Sequence, residues 1–334
     1  MSGSNPNPGL MMNPASPQAG AEGGPWDVRG VGLLGLGEVG TIFGAALARV
    51  GLPRRVGWDL KLVPGHPEGS EVRARATAAG VEPCGDVAGL CAQADLIVCA
   101  VTAAQTVAAA QQAAAHLRQG TWWLDLNSAS PAAKQQAAAW IEGAGGRYVE
   151  AAVMTSVPPY GIRVPMLLGG PHAQGLRPLL QSWGMDVQVA SERLGVASAT
   201  KMCRSIMIKG LEALVIESYT AARHYGVEEA MLATLRETFP GVDWEGQGSY
   251  FFQRVAQHGR RRAEEMREVA RTVREAGLEP VMAEAIARKD DWMADASAAG
   301  ALRDVQPKAA WRAWADALLA ARSVNGSMSV HGGV

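Results

Sequence analysis

Between residues 28 and 189 the chain alternates short apolar runs with alanine-rich segments of helical pattern. The apolar runs predict strands, which are VRGVGLL (28–34), RVGWD (55–59), VEPC (81–84), LIVCA (96–100), TWWLDL (121–126) and RYVEAAV (147–153). Strands that alternate with helices of 10–15 residues are typical of βαβ units and a parallel sheet. VPMLLGG (164–170) and MDVQVA (185–190) are expected to extend it. We therefore predict an α/β domain with a doubly wound parallel sheet.

The pattern changes after Ser191, beyond which only helical periodicity remains. Residues 195–225 contain no proline and predict one long helix, and further helices are expected with an interruption at 240–249. The predicted organisation is an α/β domain at 28–191 followed by an all-helical domain at 192–322. Residues 1–27 and 323–334 are rich in Gly, Pro, Asn or Ser, and we predict that they are disordered extensions.

Composition excludes several classes of protein. The chain has 31 basic and 32 acidic residues, so it lacks the basic excess of a general nucleic-acid binder. The basic run at 260–277 is interrupted by glutamates and predicts a solvated amphipathic helix. The four cysteines match no zinc spacing and no disulfide scaffold, which favours reduced thiols and a cytoplasmic protein. No apolar run of 18 residues predicts a membrane span, and the first 25 residues lack the features of a signal peptide.

A glycine-rich turn, Gly35-x-Gly37-x-x-Gly40, lies directly after a predicted strand and opens a predicted helix. In that context the first glycine permits a tight turn and the second lets backbone amides approach a pyrophosphate. The third lets helix and strand pack closely, and the helix N-terminus favours phosphates. We therefore predict a Rossmann-type dinucleotide-binding domain. Its cofactor-binding residues are predicted to be Gly35, Leu36, Gly37, Glu38, Val39, Gly40 and Asp59, with Val101 and Thr102 after the strand at 96–100.

The choice between NAD and NADP depends on Asp59, which lies 19 residues beyond Gly40 at the end of the second predicted strand. A carboxylate there binds ribose hydroxyls and repels a 2′-phosphate, so NAD is favoured. Two alternatives stay open. Lys61, Arg54 and Arg55 could neutralise a 2′-phosphate, and Asp59 could only cap the following turn.

Hydride transfer to a carbonyl needs a proton donor at the oxygen, and Lys201 is the first candidate. It lies near the start of the long helix, where burial in a dry cleft would lower its pKa. Arg204 and Ser205 follow one helical turn later on the same face. Periodicity alone also permits Lys201 to be a surface residue, and Lys209 is then an equal candidate.

Two polar loops follow predicted strands, and the carboxyl ends of parallel strands line the ligand crevice of such a sheet. In DLNSASP (125–131), Asn127 and Ser128 are candidates for holding a substrate carboxylate or hydroxyl, and Ser130 is also expected to cap the helix that Pro131 opens. In MTSVPPYG (154–161) the candidates are Thr155 and Ser156.

These segments, in this order, resemble the β-hydroxyacid dehydrogenase superfamily, which includes 3-hydroxyisobutyrate and 6-phosphogluconate dehydrogenases. GLGEVG resembles its GxGxxG turn, DLNSASP its D-x-[ST]-[ST]-x-[ST]-P substrate loop, EAAVMTSVPPYGIRVPMLLGG its D-A-P-V-S-G-G segment, and GVASATKMCRS the helix with its lysine. The similarity covers about residues 28–225. The segment HGRRRAEEMREVARTVREAGLEP resembles the C-terminal domain of a poorly characterised branch.

The resemblance implies that Lys201 is the catalytic lysine, that Ser128 is a substrate-loop hydroxyl and that the protein forms a homodimer through its helical domain. Two motifs depart from the family pattern. Met154, Thr155 and Ser156 replace the serine and paired glycines of one loop, and Arg204 and Ser205 replace two asparagines. Arg204 either clamps a substrate carboxylate or phosphate or pairs with an acidic side chain. Residues 258–262 are expected to reach the cleft from the same chain or from the partner.

The sequence therefore predicts an NAD(P)-dependent oxidoreductase that acts on a small hydroxy acid or its oxo form, with Lys201 as general acid or base and no metal. Two alternatives remain. One is an imine reductase, a related group that usually has Asp or Tyr at the lysine position. The other is a cofactor-binding sensor or scaffold without turnover.

Overall fold

The computed structural model describes residues 28–326, which contain one sheet of eight strands. The strands are β1 (Gly30–Leu34), β2 (Arg54–Trp58), β3 (Glu82–Pro83), β4 (Leu96–Cys99), β5 (Trp122–Asp125), β6 (Arg147–Val153), β7 (Met166–Gly169) and β8 (Val187–Ser191). Their order in the sheet is β3-β2-β1-β4-β5-β6-β7-β8, so the strand order reverses between β1 and β4. The predicted doubly wound α/β fold is confirmed, and its crevice lies at that reversal.

One strand departs from the predicted all-parallel sheet. β7 pairs antiparallel with β6, whereas every other neighbouring pair is parallel. Residues 154–165, which join the two strands, contain only a short 3₁₀ turn and no crossover helix. A parallel pair needs a crossover connection, so the chain can only return in the opposite direction.

Six helices cover the two faces of the sheet. They are α1 (Glu38–Arg49), α2 (Gly69–Ala78), α3 (Val87–Gln93), α4 (Thr106–Ala114), α5 (Pro131–Gly143) and α6 (Ala173–Ser182). Successive side chains of a strand point to opposite faces, so neighbouring residues belong to different cores. Leu33 packs in the core on one face, and Leu34 packs in the core on the other. Both are buried, as expected for a sheet that is covered on both sides.

The rest of the described chain is helical, as predicted. It comprises α7 (Val196–Tyr225), α8 (Glu228–Thr238), α9 (Trp244–Glu275), α10 (Val281–Ala298) and α11 (Trp311–Gly326). Tyr219, Phe252 and Trp311 form the centre of its main core. The interruption is shorter than the predicted 240–249, because Asp243 accepts a hydrogen bond from the Gly246 amide and caps α9 at Trp244.

The ends of the chain bear on two further predictions. α11 extends to Gly326, so the first residues of the tail predicted at 323–334 are helical. The extension predicted at 1–27 and the remainder of the tail, 327–334, lie outside the described residues. Within residues 28–326 no helix is both long and apolar enough to cross a membrane.

Candidate functional site

The glycine-rich turn connects β1 to α1 with the geometry that its spacing predicts. Gly35 has a φ of +97°, and a Cβ at this position would lie 2.5 Å from the Ala100 carbonyl oxygen at the end of β4. A Cβ on Gly40 would lie 2.0 Å from the Gly35 carbonyl oxygen, so only glycine permits the close contact between turn and helix. The same approach of β4 brings the Val101 backbone nitrogen beside Gly35, and Thr102 follows it in the chain.

The start of α1 fits a dinucleotide pyrophosphate. No atom lies within 4 Å of a Cβ placed on Gly37, so the space in front of the turn is open. No side chain caps the first turn of α1, and its backbone N–H groups therefore remain free to bind an anion. Leu36 is buried beneath the turn, Glu38 is exposed and Val39 is half-buried.

Asp59 follows β2 and binds the glycine-rich turn directly. Its Oδ2 atom accepts a hydrogen bond from the Leu36 amide at 2.8 Å, and its Oδ1 atom accepts one from the Lys61 amide at 2.9 Å. The carboxylate therefore caps the turn that follows it, as one of the alternatives proposed. Each oxygen retains a further lone pair for a hydroxyl group, so this role is compatible with ribose binding.

The basic residues considered as partners of a 2′-phosphate are placed elsewhere or already paired. Arg55 donates to the carbonyl oxygens of Leu52 and Gly80 near the start of β2, about 10 Å before the carboxyl end of the strand. Arg54 begins the same strand. Lys61 pairs with Glu68 at 2.5 Å. Arg55 is thus already hydrogen-bonded to the backbone, and the choice between NAD and NADP stays a prediction.

Lys201 lies on the second turn of α7 and points at the loop after β5. Its Nζ atom donates a hydrogen bond to Ser128 Oγ at 2.5 Å. The pKa of Lys201 is lowered to about 8, chiefly by burial and to a smaller extent by the charges of Lys134 and Lys209, while Glu265 opposes the change. A lysine with such a pKa can both give and take a proton near neutral pH. The side chain is half-buried and hydrogen-bonded to the loop after β5, which favours the catalytic prediction over a solvent-facing lysine.

A buried network fixes the loop that presents Ser128. Asp125 ends β5 and is fully buried, and its Oδ1 atom lies 2.8 Å from Lys134 Nζ on α5. Its Oδ2 atom accepts a hydrogen bond from Tyr148 at 2.6 Å, and burial together with this carboxylate raises the pKa of Tyr148 well above its usual value. A buried carboxylate that is paired and hydrogen-bonded on both oxygens holds the loop in one position. Ser130 accepts from the Ala133 amide and caps α5, as predicted.

Asn127 is buried next to Ser128, and it contacts the sheet rather than Lys201. Its backbone N–H donates to Asp125 Oδ1 at 2.9 Å, and its Nδ2 atom lies 3.3 Å from the Cys99 sulfur. Burial raises the pKa of Cys99 to about 12, so this sulfur is a thiol. Asn127 Oδ1 is buried and accepts no hydrogen bond from the described residues. Buried polar atoms are rarely left unpaired, and this oxygen is therefore suited to a donor on a bound molecule.

The other residues predicted to bind the substrate differ in their exposure and in the hydrogen bonds that they form. Arg204 Nη1 donates only a long hydrogen bond, of 3.5 Å, to the Met154 carbonyl oxygen, and within residues 28–326 the guanidinium forms no ion pair. Ser205 Oγ donates to the Lys201 carbonyl oxygen at 3.0 Å, so its proton is used within α7. Thr155 is exposed and Ser156 half-buried. The structure thus brings together Lys201 and Ser128, and it leaves Arg204 free for an anion.

Glu150, which sequence reasoning missed, anchors the start of α7 to the sheet. This buried residue of β6 accepts hydrogen bonds from the backbone N–H groups of Gly195 and Ala197, at 2.8 and 3.2 Å, and from the Ser198 hydroxyl at 2.8 Å. A carboxylate at a helix N-terminus is favoured by the helix dipole. The signal available in the sequence was an acidic residue inside an otherwise apolar strand.

α9 contacts both the glycine-rich turn and the loop after β5. Both contacts form within one chain, so residues of α9 reach the predicted cleft without a partner chain. Arg261 Nη1 is 3.6 Å from Glu38 Oε2 in the glycine-rich turn, and Glu268 Oε2 accepts from the Ser130 amide at 3.3 Å. Glu265 Oε2 accepts a hydrogen bond from the buried Lys209 at 2.6 Å. The charge of Lys209 is therefore already paired with that of Glu265. No local motif marks these roles of Glu265 and Glu268, because Lys209 and Ser130 are more than 50 residues away in the chain.

Comparisons with known proteins match two families. Residues 30–190 match the family described as the NAD binding domain of 6-phosphogluconate dehydrogenase. Residues 222–293 match a domain of unknown function, DUF1932. The two matches follow the division between the sheet and the helices.

Solved structures share the fold over most of this chain. A conserved hypothetical protein from Sinorhizobium meliloti is 37% identical, with a TM-score of 0.72 over 86% of this chain and 95% of that one. A conserved protein of unknown function, described as structurally similar to 3-hydroxyacid dehydrogenases, is 32% identical, with a TM-score of 0.64 over 81% of this chain and 99% of that one. Mycobacterium tuberculosis 3-hydroxyisobutyrate dehydrogenase shares the fold, at 18% identity and a TM-score of 0.61 over 86% and 98% of the two chains.

Proposed function

Since the chain belongs to the β-hydroxyacid dehydrogenase superfamily, in the branch that joins the NAD-binding domain of 6-phosphogluconate dehydrogenase to DUF1932, we propose that it is an NAD(P)-dependent oxidoreductase of a small hydroxy acid or its oxo form. The observation that supports this most directly is the hydrogen bond of 2.5 Å between Lys201 and Ser128. It combines a lysine of lowered pKa with a hydroxyl at the carboxyl edge of the sheet.

The glycine-rich turn and Asp59 would hold the cofactor, whose nicotinamide supplies or accepts a hydride when bound. The free N–H groups at the start of α1 would bind the pyrophosphate, and Asp59 would accept hydrogen bonds from ribose hydroxyls. The cofactor is NAD in our proposal, because Asp59 repels a 2′-phosphate and Lys61 is already paired with Glu68. Residues 28–191 would form the cofactor domain and 192–322 the substrate domain.

Lys201 Nζ would donate a proton to the substrate carbonyl oxygen in reduction and accept the hydroxyl proton in oxidation. Ser128 Oγ accepts a hydrogen bond from Lys201 Nζ, so it would orient the lysine and could bind the same substrate oxygen. Asn127 Oδ1 would accept from a donor group of the substrate or cofactor. Arg204, which forms no ion pair within the described part of the chain, would bind the substrate carboxylate through its planar fork of N–H groups, with Thr155 or Ser156 assisting.

The test is a screen of hydroxy acids and oxo acids with NAD and with NADP, in which the absorbance of the reduced nicotinamide is followed. On the best substrate we expect Lys201→Ala to lower kcat by at least about 100-fold, the contribution typical of a general acid or base. The Kd for NADH should remain unchanged, since Lys201 is not part of the glycine-rich turn.

The alternatives give different results in the same screen. Reduction of cyclic imines, with no oxidation of any hydroxy acid, would favour an imine reductase. Cofactor binding without turnover of any compound would favour a sensor. An unchanged kcat in Lys201→Ala, measured on a true substrate, would contradict the proposed role of the lysine.

A further inference from the structure

Glu38 places a negative charge inside the proposed phosphate-binding turn. It is the first residue of α1, directly after Gly37, and its side chain is 57% exposed. The backbone N–H groups of the same turn form the positive end of the helix dipole. A pyrophosphate that approaches these N–H groups therefore also approaches a carboxylate of the same charge, and this repulsion weakens binding unless a cation compensates for it.

Arg261 is the cation closest to that carboxylate in the described structure, and it comes from the helical domain. Its Nη1 atom lies 3.6 Å from Glu38 Oε2, and its Nε atom lies 3.9 Å from Glu265 Oε1. Neither contact meets the geometry of a hydrogen bond, and the Arg261 side chain is 53% exposed. Its neighbour Arg260, in contrast, donates a hydrogen bond of 2.7 Å to Asp291 on α10. Arg261 is thus held loosely, and an exposed ion pair of this length adds little to stability.

We propose that Arg261 exchanges Glu38 for the pyrophosphate when the dinucleotide binds, so that α9 contributes a cofactor ligand to a site otherwise formed by the sheet domain. The inference rests on the proposed function, because it requires a dinucleotide in the glycine-rich turn. A guanidinium binds phosphate oxygens in a bidentate manner, with shorter and stronger hydrogen bonds than those of a long exposed ion pair. The exchange also couples the position of α9, which contacts the substrate loop through Glu268, to the presence of the cofactor.

The experiment measures the Kd of three ligands by fluorescence titration, without turnover. The ligands are NADH, NADPH and ADP-ribose, which has the pyrophosphate but no nicotinamide. The variants are Arg261→Gln, Glu38→Gln and the double variant, and Arg260→Gln is the matched control on the same helix. Thermal unfolding of each variant establishes that it is folded.

We expect Arg261→Gln to raise the Kd of NADH and ADP-ribose by about tenfold, the effect of losing a charge-assisted hydrogen bond. Glu38→Gln should lower both values by about threefold, because it removes a competitor and a repulsive charge. The double variant should bind more weakly than the wild type, and Arg260→Gln should bind like it.

Three outcomes would overturn the inference. Arg261→Gln could bind ADP-ribose like the wild type, or the double variant could regain wild-type affinity, in which case Arg261 only neutralises Glu38. A wild-type protein that binds neither NADH nor NADPH would contradict the proposed function, and the inference with it. Either of the first two results, in a wild-type protein that binds NADH, would contradict the role of Arg261 and leave the proposed function standing.

Discussion

Lys201 and the charged groups around it determine the pH at which the proposed reaction can run. The pKa of a free lysine is 10.5, and burial beside Lys134 and Lys209 lowers that of Lys201 to about 8. Reduction requires the protonated lysine, so its rate should fall as the pH rises through about 8. Oxidation requires the neutral lysine, so its rate should rise through the same range. A pH profile of kcat in both directions checks this, and a pH-independent kcat between 7 and 9 would contradict it.

Glu265 should influence the pH at which kcat changes, because its charge raises the pKa of Lys201. Its carboxylate is the main group that opposes the lowering of the pKa of Lys201, and it also pairs with Lys209. Glu265→Gln removes the negative charge and leaves Lys209 close by, so the pKa of Lys201 should fall and both limbs of the profile should move to lower pH. Glu264→Gln, at the exposed neighbouring position, is the control and should leave the profile in place. A shift to higher pH, or no shift, would contradict the coupling.

At the level of single residues, the sequence predicted what depends on local pattern. Gly35, Gly37 and Gly40 were predicted from their spacing after a strand, and the resemblance to the superfamily favoured Lys201 over Lys209. Glu150, Lys134 and Glu265 were missed, because each acts through a partner on another element. A buried carboxylate or lysine has no local signature, since its partner is known only when the fold brings the two together.

α7 is the element that positions Lys201, and its start depends on one residue of the sheet. Glu150 accepts two backbone N–H groups and the Ser198 hydroxyl at the N-terminus of this helix. Gly195, which precedes the helix, has a φ of +92°, so few other residues would allow the same approach. The position of Lys201 therefore depends on Glu150 of β6.

We expect Glu150→Ala to lower the free energy of unfolding by about 3 kcal/mol, since three hydrogen bonds to a buried charge are lost. Urea unfolding followed by fluorescence measures the change. Activity should also fall at temperatures where the variant is folded, because Lys201 lies less than two turns from the anchored end. Glu192→Gln, in the exposed loop nearby, is the matched control. Wild-type stability in Glu150→Ala would show that α7 does not need this anchor.

Prediction of the elements from sequence was most successful where strands and helices alternate. The existence of all eight strands was predicted, whereas the direction of β7 was not. Periodicity identifies a strand, and its direction depends on whether the connection contains a crossover helix. The end of the interruption before α9 was also predicted too late, since the helix begins at Trp244. Asp243 starts the helix through a cap, and the run after it, WEGQGS, contains two glycines that disfavour a helix in isolation.

The long helix also presents an uncovered apolar face to the exterior of the molecule. Met207 is 74% exposed, Leu214 58% and Tyr225 76%, and all three lie on the side of α7 opposite Lys201. A groove of about 440 Å³ opens at the N-terminal end of this face, between α5 and residues that include Thr200 and Cys203. Exposed apolar surface of this extent on a protein commonly marks an interface.

The apolar face runs along α7 from the groove at its N-terminal end to Tyr225 at its C-terminal end. Thr200 in the groove and Tyr225 at the other end are equally distant from a point between Leu211 and Leu214. A two-fold axis through that point would pair α7 with an antiparallel copy and place each Tyr225 at the groove of the other chain. We propose this pairing as the interface of the predicted homodimer.

The double substitution Met207→Glu and Leu214→Glu places two charges within that pairing, where they would be buried between the two helices. Burying unpaired charges is strongly unfavourable, so the variant should be monomeric. Sedimentation velocity of the full chain measures the change, with twice the mass of one chain expected for the wild type. Leu278→Glu, at another exposed apolar position between α9 and α10, should remain dimeric. A dimeric double variant would place the interface elsewhere, and a monomeric wild type would contradict the homodimer itself.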